Sequence, residues 1–208
     1  MNEEPLEIGR VLRASTIGFS VGCRVNQLSV PGFGGLVKAQ PADSREEIYG
    51  LIYNINIDDD QLIRRLVMIE SPRPEVIEDQ RRNRLLPIEM SVLAIGYQRN
   101  EQLTFGLPPR PPLNLDPVII CRDQDEVTRI TNHLGYLRLI LRAADSNVPV
   151  DQLLVAHIRD VYLIRDRDVD WVRDVVRELI EPLRSNYDIL IPTLESLSDA
   201  VPDLEMKV

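Results

Sequence analysis

The chain has 208 residues, 44% of them hydrophobic and 27% charged, and a formal net charge of −9. That is the composition of a soluble globular protein with room for one large domain or two small ones. Residues 1–121 carry 13 basic against 16 acidic side chains (net −3) and residues 122–208 carry 11 against 17 (net −6), so neither half has the basic excess that phosphate binding needs, and nucleic acid is disfavoured as a partner.

The acidic start MNEEPLEIG has no apolar signal region. No run approaches the roughly 18 apolar residues of a membrane span. Cys23 and Cys121 make neither a disulfide framework nor a metal pattern, and a reduced, cytoplasmic setting is the simplest reading.

The first half has the grammar of strands. Glu7–Ala14 (EIGRVLRA) alternates apolar and charged positions, and Ile17–Val25 is a second apolar run. VPGFGG (Val30–Gly35) is turn chemistry, with glycine supplying positive φ and proline fixing a corner. Leu36–Ala39, Ile48–Ile57 and Ile88–Gln98 follow as strands, and Gln102–Gly106 is the next, after a polar turn at Arg99–Glu101.

Between Ile57 and Ile88 lies a helical insertion, about 59–86. Asp58–Asp60 cap a helix over Gln61–Ile69, Ser71–Pro74 break it, and Glu75–Arg84 form a second short helix. LPPRPPLNLDPVIIC (Leu107–Cys121) is then a stiff proline-rich connector that feeds a last strand at Val118–Cys121.

The second half switches to the helical period. Asp123 and Glu126 form a weak capping box, after which Val127, Ile130, Leu134, Leu137, Leu141 and Ala144 recur at helical spacing as one apolar seam. A second helix runs from Pro149 and Asp151 to about Ile164. RDRDVD (Arg165–Asp170) turns into a third, which Pro182 kinks or ends. Residues 187–197 hold one more helix, interrupted by Pro192, and the acidic tail from Asp199 is expected to fray. The fold class is therefore α+β: a small N-terminal β-barrel with a helical insertion (1–121), a helical bundle (122–198) and a flexible acidic tail (199–208).

On IGRVLRAST (Ile8–Thr16), PGFGGLV (Pro31–Val37), YGLIYNI (Tyr49–Ile55) and PPRPPLNLDPVII (Pro108–Ile120), the first half resembles the HAS-barrel family, the HerA–ATP synthase barrel. The resemblance covers roughly residues 6–121. It implies a barrel that helps to assemble ring ATPases and to dock accessory subunits, with barrel edges associating side by side. Such barrels are usually followed by a phosphate-binding loop, G-x-x-x-x-G-K-[ST]. Neither lysine of this chain, Lys38 or Lys207, sits in one, so ATP hydrolysis by this chain alone is not expected.

No catalytic constellation can be named, and no cofactor or metal is expected. His133 and His157 stand alone on predicted helices, Cys23 and Cys121 lie in apolar strands, and Asp58–Asp60 read as a cap. Trp171 reads as a packing anchor. The candidate interaction residues are Arg81, Arg82 and Arg84, a basic cluster suited to an acidic partner, and the seam Val127, Ile130, Leu134, Leu137 and Leu141. The seam would pack against the chain's own helices or a second copy. The expected function is a non-enzymatic assembly or docking module, a homo-oligomer with an ATPase or another protein as its further partner. The alternative is an accessory protein of nucleic-acid processing, which needs a basic groove with stacking aromatics.

Overall fold

Seven strands organise the first half: β1 (Glu7–Ala14), β2 (Gly18–Arg24), β3 (Leu36–Ala39), β4 (Glu46–Ile57), β5 (Pro87–Arg99), β6 (Gln102–Thr104) and β7 (Pro117–Ile120). The computed structural model describes residues 6–24, 31–41, 46–57, 68, 73–75, 87–143 and 148–204. All pairings are antiparallel, in the order β2-β1-β7-β3-β4-β5. β2 also pairs with β5, from Gly18 opposite Leu93 to Arg24 opposite Pro87, so the six strands close into a barrel and β6 extends β5 outside the ring.

The proline connector explains how the ring is completed. It leads the chain from β6 round to β7, which enters between β1 and β3 and pairs with both. Each ring strand thus has two neighbours. The edges through which side-by-side association was expected are used up, and the free edge that remains among the described strands is that of three-residue β6.

Strands β3, β4 and β5 are apolar on both faces. Val37, Ile48, Ile52, Val92 and Ala94 point into the barrel with Val11, Phe19, Val21, Met90 and Val118. The alternate residues Leu36, Tyr49, Leu51, Leu93 and Ile95 point outward, into a second cluster shared with the helices. An outward apolar face must be covered, because each buried Leu or Ile contributes about 1.5–3 kcal/mol relative to exposure.

The cover is the second half of the chain: α1 (Gln124–Thr131), a 3-10 turn (Leu134–Tyr136), α2 (Leu137–Arg142), α3 (Val150–Ile164), α4 (Val169–Leu183) and α5 (Tyr187–Ala200). The continuous seam helix expected from Asp123 to Ala144 is broken. His133 is extended (φ −103°, ψ 106°) and its Nδ1 accepts the Gly135 N–H at 3.2 Å. The break swings Tyr136 into the core, where it is fully buried.

Pro192 does not interrupt α5, which runs through it. The Thr193 hydroxyl donates to the Ile189 carbonyl at 2.7 Å, and the carbonyl that loses its partner, on Asp188, belongs to an exposed residue. Pro182 does sit at a helix end, one residue before α4 stops. The tail expected to fray from Asp199 is packed as far as Leu204: Val201 and Leu204 are buried, and the Tyr162 hydroxyl donates to Asp203 at 2.6 Å.

The turn into α4 has a dedicated brace. Asp166 and Arg167 adopt left-handed backbone, and Asp168 caps α4 by accepting the Trp171 N–H at 2.9 Å. The Arg165 guanidinium bonds Asp168, Thr131 and Asn132 and lies 5.3 Å from the Trp171 ring. The Trp171 indole N–H donates to the Thr131 carbonyl at 2.9 Å, tying α4 to the end of α1.

Gly34, in the PGFGG turn, sets the barrel backbone close against α3. Its φ is +83°, and an added Cβ would lie 2.7 Å from both the Cβ of Ala156 and the amide nitrogen of His157 on α3. Gly34→Ala is expected to lower stability by about 3 kcal/mol, combining left-handed strain with the clash. Gly32→Ala, where an added Cβ meets nothing within 4 Å, is the control and should change stability by less than about 0.5 kcal/mol. Denaturant midpoints for the two variants check this, and equal midpoints would contradict it.

Candidate functional site

Two polar constellations lie on the barrel–helix junction. In the first, Lys38 of β3 reaches Glu126 of α1 at 2.6 Å and Glu47 of β4 at 3.2 Å. The Tyr49 hydroxyl donates its one proton to Glu47 at 2.9 Å and lies 3.2 Å from Glu126, and Gln40 donates to Glu47 at 2.8 Å. Asp123 caps α1 as expected, accepting the Glu126 N–H at 2.8 Å. The Glu126 carboxylate bonds to the barrel's Lys38, beside the Tyr49 hydroxyl.

Burial by itself lowers Lys38, but its hydrogen bond to Glu126 and the charges of Glu126 and Glu47 outweigh that, and the ammonium ends above its ordinary range. Burial likewise raises Glu47, yet the bonds from Gln40, Tyr49 and Lys38 bring its carboxyl below the usual value. Burial and the two carboxylates push the Tyr49 phenol up. A nucleophilic lysine needs a lowered pKa. This cluster does the opposite and fixes each proton where it is. The network adjoins an open cleft of about 580 Å³ whose lining includes Glu46, Glu47, Gln98 and Glu101.

The second constellation is wholly buried. His157 Nδ1 lies 3.3 Å from the Gly34 carbonyl, and its Nε2 lies 3.0 Å from the Tyr136 hydroxyl. A carbonyl can only accept, so Nδ1 carries the proton and Tyr136 donates to Nε2. Burial lowers the imidazole pKa to about 4, against the smaller opposing effects of the Gly34 bond and Asp160. His157 is a neutral bridge from α3 to the PGFGG turn.

Of the predicted interaction residues, Val127, Ile130 and Leu137 are buried in the chain's own core and Leu134 and Leu141 pack against it. The structure unites these five residues internally. Arg81, Arg82 and Arg84, the Asp58–Asp60 cap and Ala144 lie outside the described residues. His133 is exposed and stacks on Phe105 at 5.4 Å. Cys23 and Cys121 are buried thiols raised by desolvation. Of the barrel aromatics, Phe19 and Tyr49 are core residues, while Phe33 is exposed on the PGFGG turn. Among the described residues no group of three His, Cys, Asp or Glu side chains is placed to hold a metal, and no helix is long and apolar enough to cross a membrane.

Sequence reasoning missed a surface patch where β1 meets the turn before β7. Leu12, Leu113 and Leu115 are 46%, 59% and 67% exposed. They are held together by backbone and side-chain bonds: Leu115 N–H to the Val11 carbonyl (2.8 Å), Asn114 to the Leu12 carbonyl (2.8 Å) and Leu113 N–H to Asp116 (2.7 Å). Leu115 has φ +71°, a conformation that suits Gly or Asn and strains Leu. The LNLD stretch was the available signal: leucines in a turn where neither apolar surface nor positive φ calls for them.

Comparison with known protein families and with curated proteins finds no match for the chain.

Lys38→Met takes from Glu47 and Glu126 the ammonium they share. It should destabilise by about 2–3 kcal/mol at neutral pH, with part of the loss recovered when Glu126→Gln is added. Chemical denaturation of the single and double variants measures the coupling, and a neutral Lys38→Met would show that the network carries no stability.

His157 gives a pH dependence of defined sign. Folded, it takes up a proton near pH 4, whereas its ordinary value is 6.5. The unfolded chain therefore binds the extra proton between those values. Stability is full above pH 6.5 and falls by about 3 kcal/mol as pH drops to 4. The wild-type unfolding free energy should fall relative to that of His157→Gln across this window, and parallel curves would contradict the assignment.

Proposed function

We propose that the chain is a non-catalytic docking module, which self-associates and partners another protein. The resemblance to barrels of ring ATPases favours an ATPase subunit as that partner. The observation that carries the reading is the Leu12–Leu113–Leu115 patch. Three leucines are kept in solvent at the barrel rim, and one of them is held in a backbone conformation that costs it about 1 kcal/mol. Strained and exposed positions of this kind concentrate where a protein binds.

The junction chemistry agrees with this reading. Lys38, Glu47, Tyr49 and Glu126 satisfy one another, and His157 is neutral with both ring nitrogens bonded, so these groups brace the fold. The predicted seam supports it differently from expectation: by packing on the barrel it makes a stiff body that presents the rim patch in one orientation. Self-association then belongs to the patch.

Light scattering on a size-exclusion column, over a tenfold dilution and at two salt concentrations, tests self-association. The decisive variant is Leu115→Asn, which suits the left-handed backbone and removes the apolar side chain. It should raise thermal stability by about 0.5–1 kcal/mol while shifting the native mass towards the monomer. A wild-type monomer at all concentrations, or an oligomer indifferent to Leu115→Asn, would sink the reading.

A further inference from the structure

Among the described residues five polar side chains are buried: Ser20, Asp116, Thr131, His157 and Thr193. The last four bond respectively to the Leu113 N–H, the Val127 carbonyl, the Tyr136 hydroxyl and the Ile189 carbonyl. Ser20 is 7% exposed, and its hydroxyl bonds to no described residue. A buried hydroxyl without a bond is destabilising, so its presence calls for a reason.

The strand register shows where that hydroxyl points. Phe19 and Val21 fill the barrel, so Ser20 between them faces outward. It stands opposite Arg13 of β1 on one side and Ser91 of β5 on the other, and β4 bulges beside Ser91 at Tyr53. A guanidinium, two serine hydroxyls and a phenol thus form a row across four neighbouring strands. All four line a cleft of about 390 Å³, whose wall also includes the exposed Ile17 and the buried Leu93. Neither the Ser91 nor the Tyr53 hydroxyl bonds to a described residue. Gly18 keeps the wall bare beside them, because an added Cβ there would run into the Val92 carbonyl oxygen.

The chemistry of this cleft selects among ligands. The one charged group of its described lining, Arg13, is paired with Glu89. An anion must take Arg13 from that carboxylate, in a chain of net charge −9. A cation finds no carboxylate on the described lining. An apolar ligand would strand the three hydroxyls away from water. A hydroxyl both donates and accepts, so hydroxyls on the wall and hydroxyls on a ligand pair in either direction.

We propose that this cleft binds a small neutral saccharide, its hydroxyls bonded to Ser20, Ser91 and Tyr53 and its carbon skeleton set against Ile17 and Leu93. The cleft lies at the small end of ligand sites, with room for one or two sugar rings. The site is additional to the docking surface and does not depend on it.

Heteronuclear NMR of the isotopically labelled full chain tests the proposal. Glucose, maltose and myo-inositol are the probes, with inorganic phosphate and glycylglycine as an anion and a peptide for comparison. At least one of the three polyols should shift the amides of Gly18, Ser20, Ser91 and Leu93 saturably, with a dissociation constant of about 0.1–10 mM. Ser20→Ala and Tyr53→Phe each remove only a hydroxyl, and each should weaken that binding about fivefold or more. Ser20→Ala should also keep or raise the melting temperature, since the hydroxyl it removes has no bond to lose. The proposal is overturned if no polyol shifts these amides, if phosphate or glycylglycine binds there more tightly than every polyol, or if either variant leaves the affinity unchanged.

Discussion

The constraint on which the rest of this structure depends is that β3, β4 and β5 are apolar on both faces. Closing the ring buries one face. The other, with Leu36, Tyr49, Leu51, Leu93 and Ile95, would be left in water without the helices. Alternating strands can face solvent on one side, whereas strands buried on both sides read as near-continuous apolar runs. The helical half is consequently a second layer on the barrel, sharing one core with it. The PGFGG turn, the Lys38 network and the Phe105 contact all lie on that junction. Each meets a different demand of it: close backbone approach, charge satisfaction and anchoring of the connector.

The same constraint decides which surfaces are left for partners. Val127, Ile130 and Leu137 cover the barrel and are unavailable to a second copy unless the chain opens. Closure of the ring removes the strand edges as well. The described surface then offers the rim leucines, two of which, Leu113 and Leu115, lie on the connector that brings β7 into place. Closure of the barrel and presentation of a docking surface are joined in one segment. Leu115 keeps its strained conformation because Asp116 and Val11 fix the backbone on either side of it.

Much of this was legible in the sequence. Period-two patterning and glycine turns placed the strands to within a residue or two, and RDRDVD marked the turn into α4. The two-sided burial was also present in IYGLIYNI and SVLAIGY, whose runs are too continuous for a strand with one wet face. The errors came from reading periodicity without its punctuation. The spacing of Val127, Ile130, Leu134 and Leu137 implied one helix, yet Asn132, His133 and Gly135 offer the backbone another arrangement, and tertiary packing of Tyr136 selects it. Pro192 looked like an interruption because a sequence does not reveal that the orphaned carbonyl faces water. The pairings Lys38–Glu126 and Gly34–His157 were not legible at all. They join residues 88 and 123 positions apart, and no local pattern encodes such a distance.

Native-state hydrogen exchange on the intact chain tests most directly whether the covered outer face makes barrel and helices a single unit. Amides of β4 and β5 around Leu51 and Leu93, and those of α3 from Leu154 to Val161, should open with the same free energy and the same denaturant dependence, in one cooperative step. Helical amides that exchange through a separate opening of lower free energy, leaving the barrel protected, would contradict the account.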